Sequence, residues 1–384
     1  MSRPTALFYV QHLLGIGHLR RAFAIARAMQ AAGLDVTLAQ GGRPVAGLDR
    51  RGLRIHQLPP AEAADSSFSV LLDEAGRPID DGWRRKRRDA LLALFAATAP
   101  DLLLVEQFPF GRRAFRFELL PLLDAALARR PKPAIFGSLR DILVAKPDPK
   151  RSAGMVALAE RYFDRVLVHG DPRVIRLEES FPAAAALGER LVYTGYVLDR
   201  PATALPREPR GEEVLVSVGG GAVGQPLLEA ALAARPLTRL AEAPWRLIAG
   251  PGLPPDHYAA LGRRLSPGVA LERFRTDFPA LLGRCRVSVS QGGYNTVMET
   301  LQAGARAVIV PFAERAETEQ TLRAERLAAR GLFALVEARE LSPARLAAAI
   351  DRADAGPPET LAIDLDGAAA SARLLEVAAR AARA

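Results

Sequence analysis

Along the chain, short and uniformly apolar runs alternate with longer stretches whose apolar residues recur every three or four positions. In the first half ALFYVQ, DVTLAQ, RIHQL, DLLLVE, PAIFGSL, RVLVHG and LVYTGYV read as strands, separated by helical patterns that include Leu19–Ala32, Arg84–Thr98 and Arg151–Phe163. Strands apolar on both faces, set between amphipathic helices, predict a parallel sheet covered on both sides. The pattern is clearest in Leu19–Ala32. There Leu19, Ala22, Ala26 and Met29 fall at helical spacing, the arginines fall mostly on the other faces, and Gly33 takes the C-terminal cap position.

Periodicity stops over Asp199–Gly211, DRPATALPREPRG, where proline and charge replace it as in an interdomain linker. It then restarts. EEVLVSVGGG, WRLIAG, VALERF, VSVSQG, AVIVP and LFALVE read as the strands of a second sheet, and the alanine-rich tail AAASARLLEVAARAARA reads as a closing helix. The expected fold class is α/β, with two doubly wound Rossmann-like domains facing each other across a cleft. Residues 1–198 form the first, 199–211 a hinge, 212–365 the second and 366–384 the closing helix. A length of 384 residues suits two cores better than one. Ligands of such sheets bind at the carboxyl ends of the strands, so the chemistry is sought there.

Composition narrows the class. With 49% hydrophobic residues the chain is globular, and its apolar runs fall far short of the ~20 residues a membrane-spanning helix needs. MSRPTALFYVQ enters a strand with no signal-peptide core, so a cytoplasmic location is expected, and the single cysteine, Cys285, agrees with it. Lys+Arg 52 against Asp+Glu 43 leaves a net charge of +9, carried almost wholly by arginine. A GC-rich genome would produce that bias together with the abundant alanine. The clusters WRRKRRD (Trp83–Asp89) and FGRRAFRFE (Phe110–Glu118) read either as solvated helix faces or as an attachment to an anionic surface. No nucleic-acid motif accompanies them, so the anionic partner, where there is one, is a membrane.

Three glycine-rich turns follow strands. In GIGHLRR, Gly15 and Gly17 let the chain turn into a helix, and His18 follows directly with a pKa suited to removing a hydroxyl proton. His12, at the strand end, is the weaker candidate. As a dinucleotide fingerprint the turn fails, because His18 and Arg20 stand where small residues belong and no acidic residue ends DVTLAQGG. In SVGGGAVGQ, Gly219, Gly220, Gly221 and Gly224 leave amides bare for a phosphate, without the Lys-Ser/Thr ending of a nucleotide-hydrolysing loop. In VSVSQGGYNTVMETLQAGARAVIVPF, Gly292 and Gly293 precede a helix starting near Tyr294. Asn295, Thr296 and Glu299 share one face of it. That arrangement suits a diphosphate, with Glu299 placed to accept from both ribose hydroxyls.

These motifs together, GIGH, VGGG and SQGGYNTVMETLQAGARAVIVPF followed by ETEQ, resemble the MurG-like glycosyltransferases of GT-B architecture. FYVQHLLGIGHLRRA, FPFGRRAFRFELLPLL, SLRDILVAKPDP and VLVHGDP are similar, more narrowly, to a bacterial group of predicted glycosyltransferases related to MurG, whose substrate is not established. The resemblance implies a nucleotide-sugar donor held mainly by the second domain, with Glu299 on the ribose and Gly292, Gly293, Asn295 and Thr296 at the diphosphate. It implies Glu319 and Gln320 on the sugar hydroxyls and Phe274 near the base. Two departures stand out. The first loop reads LLGIGH where MurG has GGTGGH, and the sugar-contact segment, AERAETEQ, is acidic.

The implied reaction transfers a hexose or N-acetylhexosamine, from UDP-sugar for preference, to an acceptor hydroxyl with inversion. Helix and glycine-loop amides stabilise the leaving diphosphate. No metal or other cofactor is expected. His18 is the expected base, with Asp141 in SLRDI and Glu106 in LLLVEQF as alternatives that read equally as buried, helix-capping groups. Closure of the cleft belongs to catalysis in this reading. The acceptor is a small molecule or is lipid-linked, with peripheral contact to the inner face of an anionic membrane. Three rivals stay open: a nucleotide-sugar 2-epimerase, a non-catalytic sugar-nucleotide-binding subunit and, least favoured, a dinucleotide oxidoreductase.

Overall fold

The computed structural model describes residues 2–13, 16–45, 48–64, 70–143, 148–198, 210–219, 224–312, 319–356 and 362–383. Gly15, Gly220, Gly221 and the hinge residues up to 209 lie outside them. In chain order the first half runs β1 (Thr5–Val10), α1 (Gly17–Ala31), β2 (Asp35–Gln40), β3 (Arg54–Gln57), β4 (Glu62–Ala63), β5 (Leu71–Leu72), α2 (Asp81–Thr98), β6 (Leu102–Glu106), α3 (Arg116–Ala128), β7 (Ala134–Arg140), α4 (Pro149–Tyr162), β8 (Arg165–His169), α5 (Leu177–Ser180) and β9 (Leu191–Tyr193). The second half runs β10 (Val214–Ser217), α6 (Gln225–Ala234), β11 (Trp245–Ile248), α7 (Pro255–Gly262), β12 (Val269–Glu272), α8 (Phe278–Arg284), β13 (Val287–Ser290), α9 (Tyr294–Ala303), β14 (Ala307–Ile309), α10 (Glu319–Ala328), β15 (Ala334–Leu335), α11 (Pro343–Ala355) and α12 (Gly367–Arg383).

The chain divides into two compact units, residues 1–200 with 364–384, and residues 201–363. In the first unit a seven-stranded sheet has the order β3-β2-β1-β6-β7-β8-β9, every pairing parallel. Its interior strands are buried on both faces, as their uniformly apolar sequences require. One face is covered by α2, α3 and α4, the other by α1 and α12. The register sets Val10 beside Gln40, Glu106 beside Ser138 and Arg140 beside His169, so the carboxyl ends of five strands line up along one edge. The antiparallel pair β4/β5 lies outside the strand-helix alternation.

The second unit has a six-stranded parallel sheet, order β12-β11-β10-β13-β14-β15. Every strand read from the sequence is present in one sheet or the other. The tail helix α12 belongs to the first unit, where Ala372, Leu375 and Ala379 join the core beside Phe23 and Met29 of α1. The returning chain crosses its own backbone closely. A Cβ at Gly367 would lie 2.3 Å from the carbonyl oxygen of Gly195, so only glycine fits. An Asp-x-Asp spacing occurs here at Asp364 and Asp366. It is tied up locally: the Asp366 N–H donates to Asp364 at 3.0 Å, and the Asp364 N–H donates to Asp171 at 3.0 Å.

The basic clusters separate by residue. Arg84, Arg85, Lys86, Arg113 and Arg116 are exposed, while Phe110 and Phe115 are core residues. Arg87 is wholly buried. Its guanidinium bonds Glu118 at 2.7 Å, the carbonyls of Gly41 and Pro59 at 2.8 and 2.7 Å, and the side chain of Gln11. A buried charge is tolerable only when it is paired and fully hydrogen-bonded, and this one ties α2 and α3 to the ends of β1 and β2.

Candidate functional site

Each unit presents its candidate chemistry at the carboxyl ends of its own strands. In the first, His18 stands in the opening turn of α1 and Glu106 ends β6, fully buried. His18 Nδ1 lies 2.7 Å from Glu106 Oε1, and Arg21, one turn along α1, bonds the same oxygen. Arg21 also lies 3.1 Å from His18 Nδ1. A carboxylate only accepts, so Nδ1 carries the proton and donates to Glu106, and the guanidinium of Arg21 serves Glu106 rather than the ring. Nε2 of His18 is then the lone-pair face.

Burial pushes His18 down to about 4, with Arg112 and Arg21 adding to it against the pull of Glu106. Burial would raise Glu106, but the His18 contact and the Arg21 and Arg112 charges take it down to about 2. At neutral pH the pair is therefore a neutral imidazole oriented by an ionised carboxylate, the arrangement of a general base with its orienting group, although burial takes the imidazole below the near-neutral value expected from the sequence. This gives Glu106 the orienting position. Asp141, just past β7, is also fully buried but packs against Gly170, whose Cβ would lie 2.7 Å from that of Asp141, and it is engaged with other partners. Gly17 opens α1 as read. His12 is buried against Gly42, where a Cβ would meet its ring at 2.4 Å.

Arg21 is missing from the sequence reading, which put most arginines of this helix on its solvent faces. Its spacing of three from His18 is the signal that could have found it. Gln107 and Arg112 are missed too. Both have left-handed backbones, φ +68° and +57°, in the turn that follows Glu106.

The second unit works with backbone instead. After β13, Gly293 caps α9 with extended geometry and no side-chain cap bond, so the first amides of the helix are left to another acceptor. A Cβ at Gly293 would meet nothing within 4 Å, whereas one at Gly292 would come 3.1 Å from the carbonyl oxygen of Gln320. Asn295, Thr296 and Glu299 are half-buried on this helix. Gly219, past β10, donates its N–H to Gln291 at 3.3 Å, and Gly224 starts α6 so tightly that a Cβ would lie 2.3 Å from that of Val218. Glu319 turns inward: it is buried and pairs at 2.8 Å with the fully buried Arg323, whose guanidinium also stacks 5.2 Å from the Tyr294 ring centre. Gln320 accepts the Phe312 N–H at 3.1 Å. Phe274 is 61% exposed beyond β12.

Residues 215–373 match the Glycosyltransferase family 28 C-terminal domain. The chain is 22% identical over 325 residues to an uncharacterized glycosyltransferase of Methanosarcina mazei, covering 80% of this chain and 79% of that protein. Over 92 residues it is 34% identical to the UDP-N-acetylglucosamine--N-acetylmuramyl-(pentapeptide) pyrophosphoryl-undecaprenol N-acetylglucosamine transferase of Burkholderia mallei, covering 24% of this chain and 25% of that one. Among solved structures, Acinetobacter baumannii MurG superposes with TM-score 0.60 at 15% identity, covering 97% of this chain and all of that one, 100%.

Proposed function

We propose, from the premise that this chain is a glycosyltransferase with the GT-B fold and a family 28 C-terminal domain, that it moves a hexose or N-acetylhexosamine from a UDP-sugar to an acceptor hydroxyl with inversion. The observation that carries the donor half is the uncapped start of α9 behind Gly292 and Gly293, with Glu299 one turn in. Backbone amides at a helix N-terminus suit a diphosphate and stabilise the charge that builds on it as it leaves. The choice of uridine draws support from the partial match to a UDP-N-acetylglucosamine transferase.

In the acceptor half, Nε2 of His18 takes the hydroxyl proton as the oxygen bonds the anomeric carbon and the bond to the diphosphate breaks. Glu106 then faces the imidazolium that forms. No step in this scheme draws on a metal, so addition of EDTA should leave the rate unchanged. The exposed cations of α2 and of the turn before α3 support an acceptor presented at an anionic membrane. No described helix is long and apolar enough to cross one.

The decisive test is a thermal-shift screen of UDP-, GDP- and dTDP-sugars on wild type and Glu299→Ala. A UDP-sugar should raise the wild-type Tm most, with the gain reduced in the variant. If no nucleotide sugar stabilises wild type, or the variant loses nothing, the donor assignment fails.

A further inference from the structure

The turn after β6 is built at some conformational cost. Gln107 and Arg112 both sit at positive φ without being glycine, a backbone that persists where the surroundings hold it for use. Gly111 donates to the Gln107 carbonyl at 2.7 Å, and a Cβ on it would lie 2.7 Å from Gln107 Cγ, so the turn folds on itself. Its product is the placement of Arg112. Nε of that residue donates to the carbonyl of Gln11 at 2.6 Å, which fixes the guanidinium plane. Its two Nη groups have no hydrogen-bond partner among the described residues.

This guanidinium feels one carboxylate and two other guanidinium groups. The carboxylate whose field reaches it is Glu106, and Glu106 Oε1 is already held by His18 and Arg21. Burial lowers the pKa of Arg112, Glu106 opposes that, and the neighbouring Arg140 and Arg21 add to the lowering. The same charge bears on His12 and His18, both of which it pushes down. A half-buried cation crowded by like charges is costly unless an anion completes it. A guanidinium fork with one edge fixed and the other open matches two oxygens of one oxyanion.

We propose that Arg112 is the centre of an oxyanion subsite in the first unit, holding a phosphate or carboxylate of the acceptor substrate beside the His18–Glu106 pair. This rests on reading the first unit as the acceptor side. The acceptor is thereby of a defined class: its reacting hydroxyl is carried by a molecule with an anionic group nearby, held by side-chain charge rather than by a glycine loop.

The test uses the full chain with 13C-labelled histidine, titrated with sodium phosphate and, separately, sodium acetate at constant ionic strength. Wild type, Arg112→Met and Arg112→Gly are compared, the last because glycine keeps the positive φ without strain. Phosphate or acetate should shift the His12 and His18 resonances saturably in wild type, the tighter of the two naming the group. Both variants should bind at least tenfold more weakly. Variants that titrate like wild type, or a wild type that saturates with neither anion, overturn the subsite. UDP-sugar stabilisation, measured on the same samples, should be unchanged by the substitutions. Its absence from wild type would sink the donor reading while leaving the histidine titration to stand.

Discussion

The two strand-end sites of this molecule solve opposite problems with the same architecture. In the proposed scheme the working groups of the first unit are side chains: His18 and Glu106, packed together with Arg21, are so enclosed that burial and neighbouring charge lower both the imidazole and the carboxyl. In the second they are backbone amides freed by Gly292 and Gly293, and the buried charges nearby, Glu319 and Arg323, are paired with each other. A proton acceptor needs a tuned pKa, which only a side chain supplies. A diphosphate needs donors that never titrate, which the backbone supplies at any pH.

The contrast is broken most directly at His18. His18→Ala should lower kcat about a thousandfold, within the range of a lost general base, and leave UDP-sugar stabilisation intact. An equal loss of donor binding would mean that the residue does not belong to one side alone. Glu106→Gln should follow at about a hundredfold. An amide can present its N–H to Nδ1, which favours the tautomer whose Nε2 is protonated and useless as a base. Since His18 is depressed to about 4, the acid limb of kcat/KM in wild type should lie near there rather than near 6.5. Stability follows the same sign. The unfolded chain binds a proton at this histidine below 6.5 while the folded chain does not until about 4, so His18 destabilises the fold progressively as pH falls through that window. Glu106, depressed to about 2, contributes stability above 4.5 that is lost as pH falls from there to about 2. An acid limb at 6.5 would mean that His18 is not the base.

On the other side, Glu299→Ala should weaken UDP-sugar binding about tenfold to a hundredfold, the net worth of about one hydrogen bond to a carboxylate, with no change in the pH profile. A shifted profile would merge the two sites the comparison separates.

Strand positions were readable because each is an apolar run and each helix keeps its period, from Leu19 to Met29 in α1 and from Ala372 to Ala379 in α12. What local pattern could not reveal was partners. Arg21 and Arg87 look like solvent-facing arginines until Glu106 and Glu118 reach them from 85 and 31 residues away. The docking of α12 on the first unit is likewise invisible in its own sequence, since an amphipathic helix shows that it has a buried face but not against what. Glycine at a strand-to-helix turn, as at Gly293 before α9, marks a backbone position in the sequence itself. Glu319 illustrates the same point as Arg21 and Arg87: its sequence shows an acidic residue after the PF turn, and only the fold shows the buried Arg323 paired with it at 2.8 Å.

The smallest effect is expected at Phe274, and its size makes it informative. Arg273 is stacked 4.3 Å from the Tyr258 ring centre and bonds the Leu253 carbonyl at 2.9 Å, and Arg275 is paired with Asp277 at 2.7 Å. Phe274 between them is held in place by its neighbours, with its ring left to water. Phe274→Ala therefore removes little packing, and Tm in the absence of ligand should not move. If the ring is a platform for the nucleotide base, donor affinity should fall about fivefold, the lower end of an aromatic stack's worth of about 1 to 3 kcal/mol. Phe274→Tyr should restore it. A fall in Tm with donor affinity unchanged would make the ring a structural element, and would leave the second unit recognising the donor through backbone and Glu299 alone.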